Sequence, residues 1–247
     1  QTTKGLEYLM SKNDVTVYHG LGSFKDKSTI EINADGKTQT INGNNIIIAT
    51  GSKPTKLSFA DFDGERIISS TEALKLSEVP KHLIVVGGGV IGLELGQVYS
   101  RLGAKVTVLE YQDKIIPNMD SSLSKELAKV FKKSGVKVNT SHKVLSIERK
   151  GDSVFIVAEN KKGESETFEG DYCLISIGRS AYTEGLNLKA IGVSTDKYGR
   201  VEVDNNLKTS VANVFAIGDV VKGAMLAHKA EEEGVYVAEY IKGQKPH

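Results

Sequence analysis

The chain has 247 residues and a formal net charge of +1, with 32 basic and 31 acidic residues interspersed. That length allows one or two domains with real cores, and that balance argues against nucleic acid or a membrane surface as the main partner. No apolar run approaches the ~20 residues needed to span a bilayer, no signal-peptide pattern opens the chain, and the one cysteine, Cys173, permits neither an internal disulfide nor a cysteine-based metal site.

In chain order, Leu6, Leu9 and Met10 suggest the end of a helix. Asp14-Val15-Thr16-Val17-Tyr18 alternates as a strand and runs into Gly20 to Phe24; Ser28 to Ile32 alternates again. Asp35-Gly36 is a two-residue hairpin signal, from which Lys37 to Ile41 returns. Ile46-Ile47-Ile48 reads as a buried parallel strand that ends in Ala49-Thr50-Gly51-Ser52. Lys53-Pro54 breaks the chain. Ser69 with Glu72 three residues on is a capping box for a short helix, Thr71 to Leu76.

Leu83-Ile84-Val85-Val86 then reads as a buried strand. Gly87-Gly88-Gly89-Val90-Ile91-Gly92-Leu93-Glu94-Leu95-Gly96 turns from it into a helix. Gly87, Gly89 and Gly92 fall at G-x-G-x-x-G spacing. The first allows the tight turn, the second a close approach to a pyrophosphate, and the third close helix–strand packing, which Gly96 extends. The free N–H groups and the dipole at the helix start face an anion. The helix runs to about Leu102 and stops at Gly103. Lys105 to Leu109 is a second strand, ending in Glu110. An acid at that place suits a ribose 2′-hydroxyl and repels a 2′-phosphate. Neither Tyr111 nor Gln112 supplies the arginine that NADP would want, so NAD is favoured. The plainer alternative is a strand–helix turn with incidental glycines.

Beyond Pro117, Asp120 or Ser121 caps a helix whose Leu123, Leu127, Val130 and Phe131 form an apolar face. Gly135 stops it, and Val136 to Asn139 reads as a third parallel strand. Val144 to Arg149, Val154 to Ala158 and Glu166 to Phe168 form an antiparallel meander. Tyr172 to Ile177 is apolar and buries Cys173 as an inert thiol, ending at Gly178-Arg179. Gly199 to Val203 and Leu207 read as strand fragments. Val214 to Ile217 is a buried strand ending in Gly218-Asp219. Val235 to Ile241 is a helix preceded by Glu231-Glu232-Glu233.

An Ala-Thr-Gly strand end before a dinucleotide motif, and an apolar strand ending in Gly-Asp after it, make an ordered set. It resembles the two-dinucleotide flavoprotein reductases of the pyridine nucleotide–disulfide family. Within them, Gly87 to Gly96, Ile175-Ser176-Ile177-Gly178-Arg179 and Met225-Leu226-Ala227-His228-Lys229-Ala230 look like the dihydrolipoyl dehydrogenases. The resemblance implies NAD contacts at Gly87, Gly88, Gly89, Val90, Ile91, Gly92, Leu93, Glu94, Glu110, Val144 and Gly178. It implies FAD contacts at Gly22, Thr50, Gly51, Ser52, Asp219, Met225, Leu226, Ala227 and His228. Among these, Glu110 matches the ribose-binding acid, Asp219 the acid that bonds the flavin ribityl hydroxyls, and Met225 to His228 a segment lining the flavin ring. Glu94 matches an acid near nicotinamide and flavin. Each has a plainer alternative: Thr50-Gly51 as a turn, Asp219 as a helix N-cap, His228 as an ion-pair partner of Glu232, Glu94 as an acid suited to a first helical turn. The family often has a proline two positions after its glycine-arginine pair, where this chain has Ala181.

The implied fold is α/β. A Rossmann-like NAD domain over 80–180, with an antiparallel meander as its crossover, is inserted between two pieces of an FAD domain, 1–79 and 181–247. The implied activity oxidises dihydrolipoamide and passes electrons through a disulfide and FAD to NAD. The implied setting is a homodimer serving lipoyl-bearing subunits of 2-oxoacid dehydrogenase complexes, in a bacterial cytoplasm or a mitochondrial matrix. Intact members also carry an earlier G-x-G-x-x-G unit, a Cys-x-x-x-x-Cys pair and a late His–Glu base on a dimerisation domain. This sequence holds none of these, so it reads as a central fragment with no catalytic residue and no metal site of its own. Two rivals stand beside this reading: another NAD(P)H-dependent disulfide reductase of the family, and a non-catalytic NAD-binding module.

Overall fold

The computed structural model describes residues 2–245. In chain order its elements are α1 (Thr2–Lys12), β1 (Leu21–Phe24), β2 (Thr29–Ala34), β3 (Lys37–Asn42), β4 (Ile46–Ile48), β5 (Ser52–Pro54), β6 (Ile67–Ile68), α2 (Ser70–Ala73), β7 (His82–Val86), α3 (Val90–Arg101) and β8 (Lys105–Leu109). They continue with α4 (Ser121–Lys133), β9 (Lys137–Asn139), β10 (Lys143–Lys150), β11 (Ser153–Glu159), β12 (Ser165–Gly170), β13 (Tyr172–Ile175), β14 (Arg179–Ala181), α5 (Leu188–Ile191), β15 (Val214–Ala216) and α6 (Ala227–Ile241). They form two compact units, Gln1–Lys53 with Ser180–His247, and Pro54–Arg179.

The second unit is built on a five-stranded parallel sheet in the order β6-β13-β7-β8-β9. α3 joins β7 to β8 and α4 joins β8 to β9. The crossover back to β13 is the antiparallel meander β10-β11-β12. The apolar run of β7 does not alternate because both faces are covered. Leu83 and Val85 point into one core with Leu93, Tyr99, Val106, Val108 and Phe131. Ile84 and Val86 point into another with Ile147, Val154, Ile156, Ala158 and Cys173. Cys173 is fully buried, which pushes its thiol well above the usual range, so it is an inert core residue. Residues 54–79 belong to this unit. β6 extends the sheet beside β13, and Asp63 and Glu65 hold Arg149 of the meander at 3.2 and 2.5 Å.

The first unit holds an antiparallel sheet, β1-β2-β3. Its hairpin turns at Asp35 (φ 48) and Gly36 (φ 73), the left-handed pair that a tight two-residue turn requires. β4 and β15 pair in parallel over a core of Phe24, Ile48, Leu188, Ile191, Val201, Val214 and Val220.

Several elements differ from the sequence reading. Asp14 to Tyr18 forms no strand; Val15, Val17 and Tyr18 are exposed, and pairing begins only at Leu21. Leu123 and Val130 are 57 % and 50 % exposed. The buried face of α4 is instead Ser124, Leu127, Ala128 and Phe131, with Ser124 Oγ donating to the Ile115 carbonyl at 2.5 Å. Gly199–Val203 and Leu207 contribute isolated bridges at Val201 and Lys208 in place of strands. α2 covers Ser70–Ala73 under the expected capping box, in which Glu72 Oε2 accepts from Ser69 N–H at 2.9 Å. α6 begins at Ala227, so Glu231 to Glu233 lie inside it.

A further tight spot is Gly170, at the end of β12. A Cβ there would lie 2.7 Å from the His82 carbonyl oxygen and 2.9 Å from Ile84 Cγ1, both on β7. Gly170→Ala is therefore expected to overpack the meander against the sheet and cost about 1–3 kcal/mol. Urea denaturation of the variant beside the parent chain measures this.

Candidate nucleotide sites

In the second unit, the C-terminal ends of β7, β8 and β13 bring the glycine turn, Glu110 and the Ser176–Gly178 segment to one edge of the sheet. Gly87 (φ 110) lies against β13: a Cβ would meet the Ser176 carbonyl oxygen at 2.5 Å and its carbonyl carbon at 2.8 Å. At Gly92 it would meet Ser176 Oγ, the Gly87 oxygen at 2.5 Å and Val85 Cγ1 at 2.9 Å. These two glycines let helix, strand and neighbouring strand converge. At Gly96 the same position makes ordinary contact with Val106 and Val85 at 3.4 and 3.6 Å. Gly89 is different. It is the N-cap of α3 in extended backbone (φ −78, ψ 175), no side chain caps the helix, and nothing lies within 4 Å of where its Cβ would stand. A twelve-residue helix thus starts with its first N–H groups uncapped by any side chain and open space beside them. A dinucleotide pyrophosphate fits such a cradle.

Glu110 ends β8 and is only 7 % exposed. Its Oε2 accepts from Gly88 N–H at 2.5 Å and its Oε1 from Gln112 N–H at 2.6 Å. At Gly88 a Cβ would fit tightly, 3.1 Å from Glu110 Oε2 and 3.0 Å from Ile115 Cγ2. The acid therefore binds the glycine turn to the loop after β8, and each oxygen retains a second acceptor direction. A left-handed Ser141 (φ 55) brings the His142 N–H to the Glu110 carbonyl at 2.9 Å, which carries the start of β10 to the acid. Val144, two residues on, is half-buried against the meander core.

In the first unit, the parallel pairing of β4 with β15 sets their C-terminal loops side by side. Ile217 N–H donates to the Ile48 carbonyl at 3.0 Å. Beyond that, Ser52 Oγ donates to Asp219 Oδ2 at 2.6 Å across 167 positions of sequence. Asp219 sits in a single turn of 3-10 helix, Gly218–Val220, so it is not the N-cap of an α-helix. Thr50 Oγ1 donates to the Tyr182 carbonyl at 2.6 Å, while Gly51 (φ 68) accepts from Tyr182 N–H at 2.9 Å. α6 starts at Ala227 with Leu226 as its N-cap and no side-chain cap. Leu226, Ala227 and His228 are exposed there, and Met225 is half-buried.

The expected residues thus fall into two groups, each within one unit. Leu93 is an exception among the NAD candidates, because its side chain packs in the helix–sheet core. Glu94 and Val90 are exposed. Gly178 (φ 125) follows β13 with open space at its Cβ position. Gly22 lies in β1 opposite Ile32. Among the described residues, His228 makes no ion pair with Glu232; the pair formed there is Lys229 with Glu233, one register on. Ser176 and the Gln112 amide carry no sequence signal of their own, since one works by backbone proximity and the other by a main-chain N–H. Among the described residues no cluster of His, Cys, Asp or Glu could hold a metal ion.

A parallel sheet with an uncapped glycine turn beside a buried acid defines a dinucleotide-binding protein of the α/β class. Residues 1–234 match the family model for pyridine nucleotide-disulphide oxidoreductases, and the chain belongs to that family. It is 49 % identical over 244 residues to a dihydrolipoamide dehydrogenase of Chaetomium thermophilum, covering 97 % of this chain and 48 % of that protein. It is 48 % identical over 246 residues to the mitochondrial dihydrolipoyl dehydrogenase of Schizosaccharomyces pombe, covering 98 % and 48 %. The chain spans about half the length of the curated relatives it matches. Among solved structures, LpdA of Mycobacterium tuberculosis superposes with a TM-score of 0.90 at 29 % identity, over 100 % of this chain and 54 % of that one. The flavoprotein disulfide reductase RclA of Escherichia coli gives 0.86 at 25 % identity, over 99 % and 57 %.

Gly89→Val is expected to abolish nucleotide binding in a folded chain. Its backbone angles suit any residue, and the side chain would fill the open space at the helix start. Calorimetric titration with NAD, beside a circular dichroism spectrum, reads both halves of that statement; undiminished affinity would place the site elsewhere.

Proposed function

We propose that this chain supplies the NAD site and part of the FAD site of a dihydrolipoyl dehydrogenase. The observation that carries the reading is Glu110, buried at the tip of β8 and bonded to the Gly88 amide of the glycine turn. In this reading Gly87 to Glu94 and Gly178 surround the phosphates and nicotinamide side of NAD, Glu110 accepts the adenosine ribose hydroxyls, and Val144 lies beside adenine. Gly22, Thr50 to Ser52, Asp219 and Met225 to His228 hold FAD. The stretch 80–180, joined in its compact unit by residues 54–79, acts as the NAD domain, with 1–53 and 181–247 as the flanking FAD segments.

When bound, the two cofactors supply the electron relay from a dithiol, through a disulfide and flavin, to the nicotinamide. The chain's own residues orient and exclude. The α3 N-terminus presents backbone donors to phosphate, Glu110 accepts ribose hydroxyls, and Asp219 accepts ribityl hydroxyls with the oxygen that Ser52 leaves free. The substrate would be dihydrolipoamide, carried by lipoyl-bearing subunits of 2-oxoacid dehydrogenase complexes, and the complete enzyme would be a homodimer. Relatives from pea and fission yeast bear the word mitochondrial in their names, which supports a mitochondrial matrix setting over a bacterial cytoplasm.

The acid decides between nucleotides. The chain is expected to bind NAD in preference to NADP, and Glu110→Ala, which leaves no side-chain acceptor for the ribose hydroxyls, to weaken NAD by about 1.5–3 kcal/mol, the scale of hydrogen bonds to a charged acceptor. Titration of both nucleotides against both proteins tests this; equal or tighter NADP binding by the parent chain would sink the assignment. A polypeptide of residues 1–247 alone is expected to be colourless and to produce no NADH from dihydrolipoamide, because its lone, buried thiol cannot cycle between dithiol and disulfide. Flavin absorbance in the purified sample, or turnover that scales with its concentration, would overturn that expectation.

A further inference from the structure

Gly218, the residue before Asp219, is held at both of its backbone polar groups by one ion pair of α6. Its N–H donates to Glu233 Oε2 at 2.7 Å, and Lys229 Nζ donates to its carbonyl oxygen at 3.4 Å. Lys229 and Glu233 pair at 2.6 Å, one helical turn apart, with side chains 22 % and 17 % exposed. Gly218 is left-handed (φ 74), and its Cβ position stands 3.1 Å from Ala230 Cβ, on the same helix. The turn is therefore held from two points of α6, at positions 229 and 233, while Ala230 leaves little room for a side chain at 218.

A surface ion pair in this i, i+4 spacing contributes little by itself, and a partly buried one must offset the cost of desolvating both charges. Each member of this pair directs a further hydrogen bond to one of the two backbone polar groups of Gly218, in a turn that carries a functional candidate. The helix it belongs to also begins at Ala227, inside the Met225–His228 segment. Asp219 is fixed on its other side by Ser52 Oγ.

We propose that Lys229 and Glu233 are positioning residues. Their pair locks the Gly218 peptide in its left-handed turn, and so sets the direction in which Asp219 presents its carboxylate to the ribityl hydroxyls of the flavin. It also ties the Asp219 turn and the Met225–His228 segment, at the start of the same helix, into one body, so these two parts of the flavin site keep a constant separation. This rests on the reading of Asp219 given above.

The test uses the flavin-loaded holoenzyme that carries this chain, with FAD affinity and flavin midpoint potential as readouts. Glu233→Gln is expected to weaken FAD about tenfold, the scale of one charge-assisted hydrogen bond, and to shift the potential. The double variant Lys229→Met/Glu233→Leu replaces the pair with apolar side chains that preserve packing; it is expected to weaken FAD to a similar degree at a melting temperature near that of the parent. In an Asp219→Ala background, Glu233→Gln is expected to add nothing further, because it acts through Asp219. Unchanged affinity and potential in Glu233→Gln would overturn the proposal. So would a loss that persists in full without Asp219, since the pair would then be serving the fold alone. If Asp219→Ala itself leaves FAD binding untouched, the assignment of Asp219 fails, a different result from failure of the clamp.

Discussion

The nucleotide unit depends on one close approach of three backbone segments. The turn at Gly87, the first turn of α3 at Gly92 and the chain leaving β13 at Ser176 crowd into a space where no Cβ fits at either glycine. Protein interiors are close-packed and deform little, so this contact fixes where the helix begins relative to the ends of β7 and β13. The open N-terminus of α3 and the acid at the end of β8 inherit their positions from it. Glu110 then adds bonds to that packing. With one oxygen on Gly88 and the other on Gln112, it makes the turn, the strand tip and the following loop a connected set. A site built this way is aimed by rigid elements, and its donors need no reorganisation to receive an anion.

The first unit reaches a similar end by different means. Ser52 and Asp219 meet because β4 and β15 run in parallel, which sets the loops after them on the same side. Their adjacency belongs to topology, since 167 positions of sequence separate them. α6 supplies the second restraint through Lys229 and Glu233. The two candidate sites therefore share a design: a carboxylate at the tip of a parallel strand, with its neighbouring backbone tied down before any ligand arrives.

Much of this was legible in the sequence, for reasons that are local. The β7 run, the glycine spacing, the stop at Gly103 and Glu110 sit within one strand–helix–strand unit, where neighbours in sequence are neighbours in space. The Asp35-Gly36 turn and the Ser69–Glu72 capping box are equally local and formed as expected. The failures are places where distant partners decide. Asp14 to Tyr18 alternates correctly yet finds no strand to pair with. Leu123 and Val130 lie outside the buried face of α4, where Ser124 bonds the distant Ile115 carbonyl. Gly88 and Gly170 are constrained by Glu110 and by β7, which single-residue patterns do not reveal. Glu233 read as part of an acidic run ahead of the last helix, because α6 starts eight residues earlier than its apolar spacing indicates.

The meander crossover also has a consequence for synthesis. Helices cover one face of β7 early, and β8 pairs along one of its edges as soon as it emerges. The other edge waits for β13, because residues 143–170 must first be laid down as the meander. At ribosomal rates of roughly 5–20 residues per second, the ~85 residues between Val86 and Tyr172 leave that edge open for about 4–17 s. An unpaired, apolar, β-branched strand edge is a template for pairing with other chains. A nascent chain of this architecture therefore has its greatest need of chaperone cover in that interval, which ends when β13 inserts between β6 and β7 and completes the five-stranded sheet.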